Sequence, residues 1–391
     1  MSTDTHSDTN STDSEETSSD DRPKKIEGIT VVPEPTRERL KQKQLSDYWG
    51  RRENLIQWML TIGKNPDRAD GYATGTARGY AFRIDRFLRW VWDREGQYTT
   101  TVTHSDGDDW MQHLAFQTDK SADAKSSCQK ALKVYFRWRA SQLGGDEWDP
   151  EMTFSTDNGT TNPPDYFTQD EREQLRDTAL NYGSVPHYKS LSPEERSRWK
   201  AHLAQRFGKP KSDIGPDDFA RANSWKVTSL VWVSLDTGLR PIEVERSRVQ
   251  WLDLENGLLR IPATESSKNK DHWKCALTDR TVDALEKWLR EREQYDKYDG
   301  RDDIWLTREG NPYQSESLQY LLEQLCDEAN ISTDNRQISW YTIRHSVGTG
   351  MSRERGLEAA RAQLRHRTKE TTMRYDSVPT TERRDALDRM G

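Results

Sequence analysis

Apolar residues recur along most of this chain at helical spacing. Helical periodicity begins near Leu40, and a first helix carries Leu55, Trp58, Met59 and Ile62. A second, from 76 to about 93, sets Tyr80, Ile84, Phe87, Leu88 and Val91 on one face, an amphipathic pattern. A shorter helix is predicted around 106–116. A fourth runs from about 121 to 143, with Ala131, Leu132, Tyr135, Phe136 and Trp138 inward. Gly144-Gly145 ends this four-helix bundle. The stretch 146–166 is punctuated by Gly, Pro, Asn and Asp and reads as a linker.

A second domain, 167–391, opens with Thr168 and Glu171, a T-x-x-E capping box for a helix through about Asn181. Ser192-Pro193 is another helix start, Ser as N-cap and Pro in the first turn. Residues 225–236 form an apolar helix that stops at Thr237-Gly238. The period then changes. Short apolar runs (Val249, Trp251, Leu254, then Leu258, Leu259, Ile261) flank Asn256-Gly257, a hairpin signal. A third strand is expected at 273–277, after a loop over 265–271. Helices return at 279–294, about 315–330, 340–354, 357–365 and after Thr380. The fold class is therefore mainly α: an N-terminal helical bundle over 40–145, then a mostly helical domain with a small three-stranded antiparallel sheet.

Charge changes the picture at one end. Residues 1–21 hold seven acids and no Lys or Arg. Without them the remaining 59 acids balance the 59 Lys and Arg, so the formal charge of −7 belongs to this segment. Its Ser/Thr/Asp composition cannot bury enough surface to offset ordering entropy, so 1–33 is expected to be a disordered acidic tail. It has no apolar core, which argues against a secretory signal. No run of 18 apolar residues suggests a membrane span. Three distant cysteines (Cys128, Cys275, Cys326) argue against a disulfide framework or a paired-cysteine zinc site. A soluble, cytoplasmic protein is expected. A neutral body does not exclude nucleic acid, which needs only a local basic face. Lys130, Lys133 and Arg137 line one side of the fourth helix at i, i+3, i+7. A solvated helix face is the bland explanation, and a DNA-facing stripe the rival.

The chain lacks GxxxxGK[ST], GxGxxG, HExxH and GxSxG signatures, and its histidines show no metal-ligand spacing. Neither a cofactor nor a metal is expected. What remains is a set of polar residues at element ends: Arg240 and Glu243 in TGLRPIE, Lys268 and Lys270 in the strand–strand loop, Tyr341, Arg344 and His345 opening a helix, His366 ending another, and Tyr375 beyond it. Singly, each has a dull explanation as surface or packing. Together they suit phosphodiester cleavage by a protein nucleophile. Arginine forks neutralise the non-bridging oxygens, a lysine protonates the leaving oxygen, and a tyrosyl phosphodiester conserves the bond energy.

In this order and spacing the residues resemble the tyrosine recombinase (phage integrase) family, in an archaeal-looking version. The resemblance covers all but the tail and is strongest over 232–262 and 340–378. TGLRPIEV is similar to the family's first-arginine box, which implies Arg240 and its supporting acid Glu243. The family's hairpin-loop lysine falls on Lys268, with Lys270 as alternative. The second-arginine box, usually His-x-x-Arg-His, stands as Tyr341-Thr342-Ile343-Arg344-His345. The family's Leu-Gly-His stands as Leu364-Arg365-His366, and the nucleophile, nine residues on, is Tyr375.

The resemblance implies that residues 40–145 are a core-binding domain clamping duplex DNA opposite the catalytic domain. It implies a 3′-phosphotyrosine intermediate and a DNA-dependent homotetramer, with the C-terminal helix exchanged between subunits. By the same likeness Arg240 and Arg344 hold the phosphate, Lys268 is the general acid and His366 hydrogen-bonds a non-bridging oxygen. Three departures stand out. Tyr341 occupies the place of a histidine, leaving the general base open between Tyr341 and His345. Arg365 replaces a glycine, a change expected to touch loop shape and DNA contacts more than chemistry. Residues 183–220 look like an insertion. A type IB topoisomerase-like enzyme, a non-catalytic DNA-binding regulator and a structural interaction protein are the alternatives.

Overall fold

The computed structural model describes residues 24–154, 165–266, 271–373, 375, 387–388 and 390. The chain divides into two compact units, Met1–Thr160 and Thr161–Gly391. No helix among the described residues is long and apolar enough to cross a membrane.

The first unit begins earlier than the sequence implied. Residues 24–33, expected within the disordered tail, instead contain a hairpin of β1 (Lys25–Ile26) and β2 (Ile29–Thr30). Its two-residue turn, Glu27-Gly28, has positive φ at both positions, the twist a tight hairpin needs. Ile29, Val31 and Val32 are buried in the unit's core, and Arg52 Nε donates to the Val31 carbonyl at 3.0 Å. Ile29, Val31 and Val32 supply the apolar surface for this burial. Residues 1–23 lie outside the described residues.

A short α1 (Glu34–Arg37) leads into α2 (Gln42–Thr61), α3 (Thr74–Glu95), α4 (His104–Phe116) and α5 (Ala122–Leu143). Ser121 and Thr103 cap α5 and α4. The helices close over Trp49, Leu55, Ile84, Phe87, Trp110, Leu132 and Phe136. Asp85, fully buried, is satisfied by the hydroxyls of Thr36 (2.8 Å) and Tyr48 (2.9 Å) and by Arg89 (3.0 Å). The expected linker also proves shorter at its start, because Trp148 packs on Phe136 inside this core.

The second unit is built on α9 (Trp225–Thr237). This helix is apolar nearly all round and is accordingly enclosed, by α6 (Gln169–Asn181), α11 (Asp279–Arg292), α13 (Trp340–Leu364) and the sheet. The insertion carries α7 (Pro193–Phe207) and α8 (Pro216–Ala220), which fold around their own apolar cluster of Trp199, Leu203, Ile214 and Phe219. After α9 come α10 (Pro241–Glu245) and the antiparallel sheet β3 (Leu252–Asp253), β4 (Leu258–Ile261) and β5 (Trp273–Ala276), in that order. Register pairs Leu252 with Leu259 and Leu259 with Cys275. Gly257 takes φ +61° in the predicted turn.

Between α11 and α13 lies α12 (Ser315–Glu328), and α14 (Lys369–Met373) follows α13. The two helices predicted over 340–365 are joined through a break at Gly356 (φ 82°, ψ 171°). The last helix, after Thr380, falls almost wholly outside the described residues, as do 155–164.

Candidate active site

The site is assembled where α9 ends and α13 begins and ends. At Gly238 the chain turns left-handed (φ 59°, ψ 45°) to stop α9. A Cβ there would lie 2.8 Å from Leu364 and 3.3 Å from Arg344 Cγ, so glycine is required by contact as well as by conformation. Arg240 follows as the N-cap of α10, with Pro241 at its first position. Glu243, three residues on, reaches back: its Oε2 accepts from the Arg240 backbone N–H (2.9 Å), and its Oε1 from Arg240 Nη1 (2.7 Å). The R-P-x-E sequence thus folds its own carboxylate against its own guanidinium.

Arg344 lies one turn inside α13 and is buried. It donates from Nη1 to the Gly238 carbonyl at 2.6 Å and from Nη2 to the Leu364 carbonyl. Its neighbour His345 brings Nδ1 to 3.2 Å from the Tyr375 hydroxyl. At the far end of α13, Arg365 is a left-handed C-cap, and His366 comes next, its Nδ1 3.0 Å from Thr372 Oγ1 of α14. The Tyr375 ring lies parallel to the His366 ring, centroids 5.9 Å apart and planes 8° apart. It packs on Val347 and Leu364, only 4% exposed.

The electrostatics follow from composition. Three guanidinium groups, those of Arg240, Arg344 and Arg365, share the buried Glu243. Burial works to raise the Glu243 pKa, but the charges of Arg365, Arg240 and Arg344 outweigh it and bring the carboxyl down to about 2. Burial, with the neighbouring Arg365 and Arg240 charges, pushes Arg344 below its ordinary value. A cluster with this surplus of cations favours an incoming anion such as a phosphate. Among the described residues no group of three His, Cys, Asp or Glu could hold a metal.

Of the residues predicted from sequence, the structure brings together Arg240, Glu243, Arg344, His345, His366 and Tyr375. Tyr341 lies on the first turn of α13, 43% exposed, and it is His345 that meets the Tyr375 hydroxyl. Lys268 and Lys270 fall in 267–270, outside the described residues. In the first unit Lys130 and Lys133 are exposed on α5. Arg137 is half-buried and engaged internally, with the Gly63 carbonyl (2.9 Å) and the Tyr72 hydroxyl (2.7 Å), so it belongs to the bundle's packing.

Two residues escaped the sequence reading. Arg365, expected at the margin, is 1% exposed and bonded to Glu243 at 2.7 Å. Gly348 is the other: a Cβ there would lie 2.9 Å from the Tyr375 ring and 2.8 Å from Leu364. A glycine inside a helix costs about 1 kcal/mol against alanine, and that cost was the available hint of close packing.

Residues 218–382 match the phage integrase family model. No curated protein matches the chain. In fold the chain is similar to the XerH site-specific recombinase bound to palindromic difH substrate in a post-cleavage complex. That likeness has a TM-score of 0.53 at 14% identity and covers 89% of this chain and 88% of that one. The XerH pre-cleavage complex with difH gives 0.51 at 15%, with the same coverage. The Tn1549 transposon integrase in complex with transposon right end DNA gives 0.51 at 14%, covering 86% of this chain and 99% of that one. The match to the phage integrase family model thus falls on the second unit, the part of the chain that holds the arginine–histidine–tyrosine cluster.

Proposed function

We propose that this chain cuts and rejoins duplex DNA at specific sites, with Tyr375 as its nucleophile. The observation that carries the reading is the Tyr375 hydroxyl at 3.2 Å from His345 Nδ1, its ring stacked on His366 next to the buried Arg344. The Tyr375 oxygen attacks the scissile phosphorus as the bond to the 5′ oxygen breaks. The products are a 3′-phosphotyrosine and a free 5′ hydroxyl. His345 is within reach to accept the phenolic proton. Arg240 and Arg344 hold the non-bridging oxygens as negative charge builds on them. Glu243 orients Arg240, His366 hydrogen-bonds the phosphate, and Lys268 delivers a proton to the departing oxygen. Attack by a 5′ hydroxyl on the phosphotyrosine reverses these steps and rejoins the strand.

The partner is duplex DNA, a reading supported by the DNA-bound states of the recombinases similar in fold. Lys130 and Lys133 contact its backbone, and the protein works as a DNA-dependent homotetramer in the cytoplasm.

The test uses the full chain and a pool of randomised duplexes, each nicked so that the short 5′-hydroxyl fragment diffuses away after cleavage. Covalent complexes are recovered under denaturing conditions and the DNA-linked peptide is sequenced by mass spectrometry. The expected adduct is on Tyr375, and Tyr375→Phe binds the recovered duplexes without forming one. A normal adduct yield from that variant, or linkage to another residue, overturns the assignment.

A further inference from the structure

We propose that Arg365 is a positioning residue that ties the two phosphate-binding arginines to one frame. The inference rests on the reading of the site given above. The family that the chain resembles has a glycine before this histidine. Arg365 keeps the backbone shape of such a glycine, at φ 60° and ψ 44°, a region where a side chain is rarely tolerated without compensation. The chain therefore retains the turn and adds a guanidinium to it.

That guanidinium points into the protein and is used on several sides. Nη1 donates to the Thr237 carbonyl (2.8 Å), the Gln363 carbonyl (3.0 Å) and Cys275 Sγ (3.1 Å). Nη2 donates to the Gly238 carbonyl (3.2 Å) and Glu243 Oε2 (2.7 Å). Two of these acceptors are shared. Glu243 Oε2 also takes the Arg240 backbone N–H, and the Gly238 carbonyl also takes Arg344 Nη1. Cys275 lies on β5, the strand that follows the Lys268 loop. One planar fork thus meets the supports of both arginines and the strand leading from the lysine. Its rigid geometry suits that task, which a flexible ammonium would perform poorly. Removing it takes away one donor to Glu243 and one to the Gly238 carbonyl together, and the spacing of the two arginines loosens.

The test compares full-length parent, Arg365→Gly, Arg365→Met, Arg365→Lys, Glu243→Gln and the Arg365→Gly/Glu243→Gln double variant, each checked for folding by thermal melting. Single-turnover adduct formation is measured at saturating duplex, using the duplexes recovered above. A misplacement of about 1 Å at the reacting centre costs on the order of 100-fold, so Arg365→Gly and Arg365→Met should lose about that much while duplex affinity stays within about twofold. Arg365→Lys should recover part of the loss, and the double variant should be no slower than its slower parent, because both changes act through one carboxylate. A folded Arg365→Gly cleaving at the parental rate, Met matching Lys, or losses that multiply would each overturn the proposal. Should the glycine variant not fold, Met against Lys decides by the same criterion.

If the parent itself forms no adduct, it is the recombinase reading that fails. The inference is then decided by inorganic vanadate, which needs the arginine cluster but no cleavage. A vanadate-induced rise in the parent's melting temperature that Arg365→Gly lacks supports it, and an equal rise in both overturns it.

Discussion

Replacing Gly348 by alanine isolates the seat of the Tyr375 ring. The added Cβ would lie 2.9 Å from two ring carbons of Tyr375 and 2.8 Å from Leu364 Cδ1, whereas ordinary contact begins near 3.4 Å. The ring and the leucine must therefore each move by about 0.5 Å, since repulsion at these distances is steep. Two effects on stability oppose each other. Alanine gains about 1 kcal/mol in helix propensity, and overpacking costs about 1–3 kcal/mol, so net destabilisation stays below about 2 kcal/mol and the protein folds.

Activity has no such compensation. The hydroxyl stands 3.2 Å from His345 Nδ1, and a shift of this size takes it to the edge of hydrogen-bond reach. Single-turnover adduct formation should fall about 10- to 100-fold with duplex affinity unchanged. Gly350→Ala, two residues along the same helix, is the control. Its Cβ meets only the end of the Arg172 side chain, which can give way. It should gain the helix propensity and cleave at the parental rate. Parental cleavage by Gly348→Ala, or an equal loss in both variants, refutes the reasoning.

His345→Ala should slow adduct formation about 100-fold or more while Tyr341→Phe stays within about twofold, and the reverse order in single-turnover rates would return the base to Tyr341. Glu243 has its pKa lowered from the ordinary carboxylate range to about 2, so its contribution to stability is full above about pH 4.5 and is lost as pH falls toward 2, roughly 3 kcal/mol across that window. The difference in unfolding free energy between parent and Glu243→Gln in urea titrations should shrink over that range, and a constant difference would contradict the shift. Arg137→Ala should destabilise the first unit by about 1–3 kcal/mol and leave the salt dependence of duplex binding intact. Lys130→Ala or Lys133→Ala should each reduce the slope of log affinity against log salt by about one, and an unchanged slope would remove them from the DNA contact.

What the sequence determined by itself is what depends on neighbours a few positions apart. The caps at Thr168 and Ser192 and the Asn256-Gly257 hairpin each need only a few residues to agree, and all stand where the pattern put them. The spacing from His366 to Tyr375, like the place of Glu243 beside Arg240, was read from the resemblance to the tyrosine recombinase family. Other features were decided only when distant segments met. Gly238 receives Arg344 from 106 positions away, and Arg365 reaches Glu243 across 122. No local pattern distinguishes a buried arginine from a surface one, because only packing shows which carbonyls and carboxylates await it. The same holds for Gly348, whose need for a missing side chain exists only against the Tyr375 ring, and for Ile29 to Val32, which looked like the end of a polar tail until a core was there to receive them. The contact of His345 rather than Tyr341 with the Tyr375 hydroxyl is of this kind too. Four residues apart, the two lie near each other on one helix, and only the position of the Tyr375 ring distinguishes them.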